Sequence, residues 1–284
     1  MKLKTAKSAG FCFGVQKAID AVYHEIEYGQ RPIYTFGPII HNEEVVSELE
    51  RRGVTVLKTV EEIEQKECGT IIIRSHGVSR KIRERMEQSR LRVVDATCPF
   101  VLRIHKYVRE YSSQGYYVVI IGDAAHPEVQ GIYGWSDPQR TTILSEQEEA
   151  EKFTVPKEGR VCIVSQTTFN YNKFQDLVEI ISEKGYDRIV LNTICSATEQ
   201  RQKEAEALSG QVDAMIVIGG KSSSNSRKLF EICSKKCKNT YFIQTKDDLE
   251  NSTFQRFGYV GITAGASTPN NIIEEVQKYV RNEL

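Results

Sequence analysis

The sequence lacks a long apolar run, an excess of charge of either sign, and a secretory leader. No apolar stretch approaches the roughly 20 residues of a membrane-spanning helix, so we expect no membrane spans. Lys plus Arg and Asp plus Glu each number 38, so the formal net charge is zero. This argues against electrostatic binding of nucleic acid or an anionic membrane by the chain as a whole. The start, "MKLKTAKSAGFCFGV", has no apolar signal core, so we expect a cytoplasmic protein.

The seven cysteines form an odd set, which excludes complete pairing into disulfides within the chain. Cys12, Cys98 and Cys195 each stand where a loop leads into a predicted helix, a position that favours a thiolate. Any one of them alone could simply be a small buried residue. Three in similar contexts, without a CxxC motif, favour an iron–sulfur cluster with one open iron or an unusual zinc site.

The other four cysteines have simpler interpretations. Cys68 precedes a predicted strand and Cys162 lies inside one, so both are expected to pack in the core. Cys233 and Cys237 are four residues apart on a predicted helix and therefore share a face. They could bind a metal, but the neighbouring sequence offers no partner ligands.

Apolar β-branched runs alternate with longer amphipathic segments, which predicts an α/β fold with mostly parallel sheets. Strands are predicted at 70–76, 91–97, 117–123, 160–166, 188–194, 213–220, 240–245 and 259–265. Helices are predicted near 14–28, 42–52, 78–88, 99–113, 128–134, 170–184, 197–209, 225–236 and 269–283. "VVDATCPF" at 93–100 resembles "IVLNTICSA" at 189–197. We therefore expect three similar α/β units, at 1–96, 97–194 and 195–284.

Polar loops follow many of the predicted strands, where ligands collect in open α/β sheets. Hydroxyls and glycines before a helix, as in "MIVIGGKSSSNSRKLF" and "GITAGASTPNN", suit a phosphate or diphosphate. The first of these is not a P-loop, because Met215 stands where that motif needs glycine. A flexible polar loop is the alternative interpretation of the serine run.

His41, His76 and His126 lie in these loops, which indicates an anion pocket or a proton network. Glu128, two residues after His126, is the candidate general acid if burial raises its pKa. It could equally be a first-turn glutamate that complements the dipole of a helix.

Nine motifs together resemble the 4-hydroxy-3-methylbut-2-enyl diphosphate reductase family (IspH/LytB), in order along nearly the whole chain. They are "GFCFGV", "GPIIHN", "RSHG", "DATCP", "HPE", "SQTT", "NTIC", "SSNS" and "AGAS". The resemblance implies three pseudo-symmetric α/β units around a central iron–sulfur cluster. It also implies that Cys12, Cys98 and Cys195 hold a [4Fe–4S] cluster whose fourth iron is open.

The same resemblance implies roles for the polar residues. The residues that would surround the substrate diphosphate are His41, His76, His126, Thr168, Ser223, Ser224, Asn225 and Ser267. Glu128, Thr167 and His126 would be catalytic, with the substrate hydroxyl on the open iron and Glu128 relaying protons.

The implied reaction is the reductive dehydroxylation of (E)-4-hydroxy-3-methylbut-2-enyl diphosphate to isopentenyl and dimethylallyl diphosphates, the last step of the methylerythritol phosphate pathway. Its electrons would come from a donor such as ferredoxin or flavodoxin. The basic run "SRKIRERMEQSRLR" at 79–92 could dock an acidic donor or could be an ordinary solvated helix face.

Two other classes of protein remain open on the residues alone. A non-redox iron–sulfur enzyme such as quinolinate synthase also joins three α/β units by three cysteines. An iron–sulfur sensor or electron carrier would need neither an open iron nor so many hydroxyls around it. Substrate-dependent electron consumption separates both from the reductase.

Overall fold

The computed structural model describes residues 2–156, 158–250, 254 and 256–282, and twelve short parallel strands form its framework. The strands are β1 (Lys2–Thr5), β2 (Ile33–Phe36), β3 (Val54–Leu57), β4 (Thr70–Ile73), β5 (Arg92–Asp95), β6 (Tyr117–Ile121), β7 (Thr141–Leu144), β8 (Arg160–Ser165), β9 (Asp187–Val190), β10 (Ala214–Ile218), β11 (Thr240–Ile243) and β12 (Tyr259–Ala264). Among the described residues they form three four-stranded sheets, in the orders β1-β12-β10-β11, β3-β2-β4-β5 and β7-β6-β8-β9. The predicted parallel α/β class is confirmed.

Eleven helices occur in the described part of the chain. They are α1 (Phe13–Tyr28), α2 (Glu43–Arg51), α3 (Val60–Glu64), α4 (Arg80–Glu87), α5 (Pro99–Ser113), α6 (Pro127–Tyr133), α7 (Gln147–Lys152), α8 (Tyr171–Glu183), α9 (Ser196–Ser209), α10 (Ser224–Lys236) and α11 (Asn270–Asn282). All eight predicted strands and all nine predicted helices are present, although position 283 of the last helix lies outside the described residues. No helix in the described ranges is both long and apolar enough to cross a membrane.

The chain divides into two compact units, which we name by their place in the sequence. The terminal unit comprises Met1–Gln16, Ile40–Ser47 and Ser196–Leu284, and the internal unit comprises Lys17–Ile39 and Glu48–Cys195. The sheet containing β10 belongs to the terminal unit, and the other two sheets belong to the internal unit.

The first strand departs from the expected order of consecutive units. β1 pairs in parallel with β12, with Lys2 opposite Tyr259, so it joins the sheet formed by the last third of the chain. β1 has two exposed and two half-buried residues, and so short and polar a strand does not predict this pairing from sequence. The division at 1–96, 97–194 and 195–284 stays a prediction, and its ends at residues 1 and 284 lie outside the described residues.

The strands at the middle of the sheets are buried along their length, as parallel strands covered on both faces should be. β4 and β10 have no exposed residue, and β8 has only its first. Pro99 and Pro127 open α5 and α6, where a missing backbone N–H costs no hydrogen bond. The sheets thus end in loops that lead directly into helix starts, and the candidate site residues lie on these loops.

Candidate functional site

In the internal unit, a buried carboxyl group is held by one threonine. Glu128 is the second residue of α6 and is 2% exposed. The Thr167 backbone N–H donates to Glu128 Oε1 at 2.6 Å, and the Thr167 hydroxyl donates to Oε2 at 2.8 Å. Thr167 follows β8, so the end of a central strand fixes both carboxyl oxygens.

Burial raises the pKa of Glu128 from 4.5 to about 7, although the two Thr167 hydrogen bonds act in the opposite direction. The cost of removing a carboxylate from water therefore exceeds the gain from two donors at this site. A carboxyl group with this pKa can both give and take a proton near neutral pH. The condition under which Glu128 is a candidate general acid, a pKa raised by burial, is therefore met.

Two of the three predicted histidines lie near the start of α6, the helix that carries Glu128. His126 caps α6, and its Nδ1 accepts the Glu128 backbone N–H at 3.1 Å. The His76 ring lies edge-on to the His126 ring, with centroids 5.4 Å apart. Because Nδ1 of His126 accepts a hydrogen bond, a proton on a neutral His126 belongs on Nε2.

The backbone N–H groups of Cys98 and Cys195 donate hydrogen bonds to two different loops, which carry His76 and Thr167 respectively. The Cys98 N–H donates to the Ser75 carbonyl at 3.0 Å, next to His76, and Cys98 is the residue before α5. The Cys195 N–H donates to the Thr167 carbonyl at 3.0 Å, and α9 begins at the next residue. Both thiols are free of disulfides. The internal unit therefore links one predicted metal ligand to the loop of a predicted binding residue, His76, and the other to a predicted catalytic residue, Thr167.

In the terminal unit, the predicted binding residues near the start of α10 are neutral. The Ser223 hydroxyl caps α10 by accepting the Ser226 N–H at 3.3 Å, and the Ser226 hydroxyl donates to it at 3.0 Å. Gly219 and Gly265, which follow β10 and β12, leave room for Ser226, because a side chain on either glycine would overlap its hydroxyl. The serine loop, defined as residues 219–224, is thus packed against the strand ends.

Asn225 carries unsatisfied hydrogen-bonding groups in this unit. It is 3% exposed, and neither its Oδ1 nor its Nδ2 has a hydrogen-bond partner among the described residues. Buried amides normally find partners, and an unmade hydrogen bond costs about 1–3 kcal/mol. Both atoms of Asn225 are therefore available to a ligand.

His41, Ser267 and Cys12 lie on adjoining segments of the terminal unit. The Ser267 hydroxyl donates to the His41 carbonyl at 3.0 Å. The Cys12 N–H donates to the carbonyl of Ala266, the residue before Ser267, at 3.2 Å. Cys12 is the residue before α1, so all three predicted metal ligands stand immediately before a helix.

Sequence reasoning misses Glu43, which fastens the serine loop. Its Oε1 accepts the Ser222 hydroxyl at 2.7 Å, and its Oε2 accepts from Gln244 Nε2 at 2.7 Å. Partial burial acts to raise the pKa of Glu43, but hydrogen bonds from Ser222 and from the Glu43 backbone outweigh it, so the pKa is lowered. In the sequence Glu43 looks like an ordinary first-turn glutamate, and no local pattern links it to a serine 179 residues away.

The remaining four cysteines differ in environment from the three that precede helices. Cys162 and Cys233 lie in apolar cores, and burial raises the pKa of each thiol to about 12. Cys237 is buried in the same core as Cys233. Cys68 is exposed in the turn before β4, so the expectation that it packs in the core is wrong. Thiols that stay protonated are poor metal ligands, so Cys162 and Cys233 fit a cluster poorly. Cys12, Cys98 and Cys195 remain the predicted donor set.

The basic segment at 79–92 is largely neutralised within the internal unit. Arg80 pairs with Glu84 at 2.7 Å, and Arg83 pairs with Asp95 at 2.7 Å. Arg85 pairs with Glu64 at 2.6 Å. These contacts favour the solvated helix face over the docking patch, because paired charges attract an acidic partner less.

The comparisons with known proteins agree along the whole chain. The family model described as LytB protein matches residues 3–281. A 4-hydroxy-3-methylbut-2-enyl diphosphate reductase of Caldanaerobacter subterraneus subsp. tengcongensis is 45% identical, and the match covers 99% of this chain and 97% of that protein. The reductase of the same name from Clostridioides difficile (strain 630) is 43% identical, with 99% and 100% covered.

Two solved structures share the fold. The E-1-hydroxy-2-methyl-but-2-enyl-4-diphosphate reductase from Plasmodium falciparum superposes with a TM-score of 0.91 at 30% identity, covering 99% of this chain and 87% of that one. A structure described as (E)-4-hydroxy-3-methyl-but-2-enyl diphosphate reductase, the terminal enzyme of the non-mevalonate pathway, gives 0.70 at 38% identity, with 99% and 100% covered. With a family model over nearly all of its length and relatives above 40% identity, the chain belongs to the LytB protein family of oxidoreductases.

Proposed function

We propose that this chain reduces (E)-4-hydroxy-3-methylbut-2-enyl diphosphate to isopentenyl and dimethylallyl diphosphates. The hydroxyl group leaves as water, and the reaction consumes two electrons and two protons. One observation carries the proposal: full-length relatives at 43–45% identity are named for reduction of this substrate. The buried carboxyl group and the unsatisfied amide described above supply the two functions that the reaction needs, a proton source and anion recognition.

The cofactor proposed for the reaction is a [4Fe–4S] cluster held by Cys12, Cys98 and Cys195. Each of these thiols stands before a helix, whereas Cys162 and Cys233 are buried with pKa values of about 12. When bound, such a cluster supplies electrons and a Lewis-acidic iron. The protein's own residues must then bind the diphosphate, orient the hydroxyl end and deliver protons.

Glu128 is the proposed proton relay. Hydroxide is a poor leaving group, and protonation lets it depart as water. With a pKa of about 7, Glu128 holds a proton in a large fraction of molecules at neutral pH. Thr167 fixes both carboxyl oxygens, so the proton leaves from a defined position. His126, which accepts the Glu128 backbone N–H, holds the same turn.

The diphosphate is the proposed ligand of the neutral donors in the terminal unit and of the histidines. The proposed set is His41, His76, His126, Thr168, Ser223, Ser224, Asn225 and Ser267. The support within the terminal unit is the buried side chain of Asn225, whose atoms have no partner among the described residues. Serine hydroxyls and backbone N–H groups at the start of α10 can donate hydrogen bonds to an anion. The positive end of the helix dipole also favours negative charge there.

The electron donor proposed is a ferredoxin or a flavodoxin. The pairing of Arg80, Arg83 and Arg85 with carboxylates gives no support to the segment at 79–92 as its docking site.

The proposed reaction is tested anaerobically. The purified chain is reconstituted with iron and sulfide, and the oxidation of a reduced viologen is followed on adding the substrate. We expect substrate-dependent oxidation with five-carbon diphosphate products. A loaded cluster that consumes no electrons would contradict the reductase proposal and favour a non-redox enzyme or a sensor.

The ligand assignment is tested by a matched pair of cysteine variants. We expect Cys98→Ser to lose the cluster and all turnover, because a hydroxyl group is a weak iron ligand. Cys233→Ser should keep both, because Cys233 lies in an apolar core. Iron and sulfide content and the visible absorbance of the cluster report the result. Equal iron loss in the two variants would contradict the assignment.

A further inference from the structure

The loop that leads to Cys12 is rich in small residues, namely Ala6, Ser8, Ala9 and Gly10. It runs from Ala6 to Cys12, and we call it the Cys12 loop. After β1 ends at Thr5, the chain makes a turn that contains Gly10 at a φ of +102°. Ala6 and Ala9 pack against the apolar cores of the terminal unit, and the backbone polar groups of the loop need partners of their own.

Arg201 on α9 binds this loop through two of its carbonyl groups. Its Nε donates to the Ser8 carbonyl at 2.9 Å, and its Nη2 donates to the Gly10 carbonyl at 2.8 Å. Arg201 is only 3% exposed. Charge-assisted hydrogen bonds from a planar, buried guanidinium are strong and directional. They fix the backbone two residues before Cys12.

Glu204, also on α9, accepts hydrogen bonds from backbone N–H groups of the same loop. Its Oε1 accepts the Lys7 backbone N–H at 2.6 Å, and its Oε2 accepts the Ser8 N–H at 2.8 Å and also the Ser8 hydroxyl. Arg201 and Glu204 are three residues apart on one helix and therefore share a face. Together they form a clasp in which a cation binds carbonyls and an anion binds amides.

The far side of the loop is held by α11 and the segment before it. A side chain at Gly10 would place its Cβ 2.7 Å from Asn270 Oδ1, so the loop approaches α11 closely. The Cys12 N–H donates to the Ala266 carbonyl at 3.2 Å. Hydrogen bonds to α9 and to Ala266, together with the close approach to α11, therefore define the path of the Cys12 loop.

We propose that Arg201 and Glu204 are positioning residues for Cys12 and that cluster retention depends on them. The inference rests on the proposed function in one respect, namely that Cys12 is a cluster ligand. Partners of metal ligands outside the coordination sphere typically change metal affinity by about 10-fold to 100-fold when removed. Neither residue needs to touch the substrate or the cluster to have this effect.

The test uses full-length Arg201→Met and Glu204→Gln variants. The matched control lies on the same helix, where Lys203 and Glu199 form an exposed pair at 2.6 Å, and is Lys203→Met with Glu199→Gln. In reconstituted protein without substrate, iron release to a chelator is followed by absorbance. We expect both clasp variants to release iron about 10-fold to 100-fold faster than wild type, and the control to be unchanged.

A second measurement separates positioning from general destabilisation. In the cluster-free protein, alkylation of each cysteine is followed by mass spectrometry. The proposal predicts faster labelling of Cys12 with unchanged labelling of Cys98 in both clasp variants. If Arg201→Met does not fold, Glu204→Gln, which keeps the size of the side chain, decides the question.

The outcomes distinguish this inference from the proposed function. Wild-type protein that retains no cluster would contradict the proposed cofactor, while Cys12 labelling would still test the clasp. Wild-type protein with a stable cluster, together with clasp variants that match the control in iron release and Cys12 labelling, would overturn the inference. Labelling that rises equally at Cys12 and Cys98 would also overturn it, because a general loss of stability would then suffice.

Discussion

The two units carry site residues of different chemical kinds. The internal unit holds groups that change protonation state, namely Glu128, His76 and His126. The terminal unit places neutral donors at the start of α10, namely Ser223, which caps it, and Asn225. Neutral donors bind an anion without responding to pH, whereas a carboxyl group with a pKa near 7 can transfer protons. The proposed proton relay thus lies in the internal unit, whereas Ser223 and Asn225, two of the neutral donors proposed for the diphosphate, lie in the terminal unit.

The same two regions differ in how far their hydrogen bonds are satisfied. Both oxygens of Glu128 are occupied by Thr167, whereas neither polar atom of the Asn225 side chain has a partner among the described residues. The Glu128 carboxyl group is therefore held in position without a ligand, whereas the Asn225 amide would gain its hydrogen bonds only from a ligand. Each prediction below tests one side of this contrast.

Glu128→Gln should have the largest effect, because it removes the proposed proton relay. Glutamine keeps the size of the side chain and can still bond to Thr167, so the cluster and the substrate affinity should be retained. We expect turnover to fall by about 100-fold to 10,000-fold with reduced viologen as donor. The exposed Glu179→Gln on α8 is the control and should match wild type. Unchanged turnover in Glu128→Gln would remove this residue from the mechanism.

Glu128 should also make the stability of the cluster-free protein depend on pH. Its pKa is about 7 in the folded chain and 4.5 in the reference state, so the folded state binds the extra proton between these values. Stability is therefore fully present below about pH 4.5 and declines as the pH rises to about 7. At roughly 1.4 kcal/mol per pH unit, the decline is of the order of 3 kcal/mol.

Urea unfolding of the cluster-free protein at several pH values measures this decline. Glu128→Gln, which imitates the protonated acid, should flatten the curve over this range and should be more stable than wild type at pH 8. A variant that follows the wild-type curve would show that other groups cause the decline.

Asn225→Ala should weaken substrate binding more than it slows the chemical step. If the substrate diphosphate satisfies the amide, its removal costs about 1–2 kcal/mol, which corresponds to an increase in KM of about tenfold. The control is Asn239→Ala, an asparagine of the same unit whose Nδ2 donates to the Asp213 carbonyl at 2.9 Å. A change confined to kcat would place Asn225 on the proton-transfer side of the contrast.

Much of this architecture could be predicted from sequence, and the failures have definite physical reasons. Four of the predicted strands, β6, β8, β10 and β12, have five or six residues each, nearly all of them buried, and such apolar runs are strong signals. β1, β2, β3 and β7 are not among the predicted strands, and none of them has more than two apolar residues in succession, so their pattern is weak. The raised pKa of Glu128 could be anticipated only conditionally, because desolvation depends on what packs over α6.

The residues that sequence reasoning missed act through distant contacts. Glu43 binds Ser222, and Arg201 binds Ser8, 193 residues away. A glutamate at a helix start and an arginine within a charged helix have ordinary local explanations, so only the tertiary structure separates them from their neighbours. The motif residues, by contrast, lie at the ends of strands, where the location itself predicts a ligand site.

Ser222→Ala should have the smallest effect and should define how far anion recognition extends beyond Asn225. Ser222 holds the serine loop to Glu43, and loss of one exposed hydrogen bond should raise KM by about threefold with kcat unchanged. The Glu43→Gln variant is a less direct test of the contact, because the loss of a negative charge by itself strengthens the binding of an anionic substrate. The double variant should therefore be no worse than Ser222→Ala, since the two residues share one contact. Steady-state kinetics decides this, with the exposed Ser234→Ala on α10 as the control. Additive effects of the two substitutions would mean that Glu43 and Ser222 act separately, and the serine loop would then need another explanation for its position.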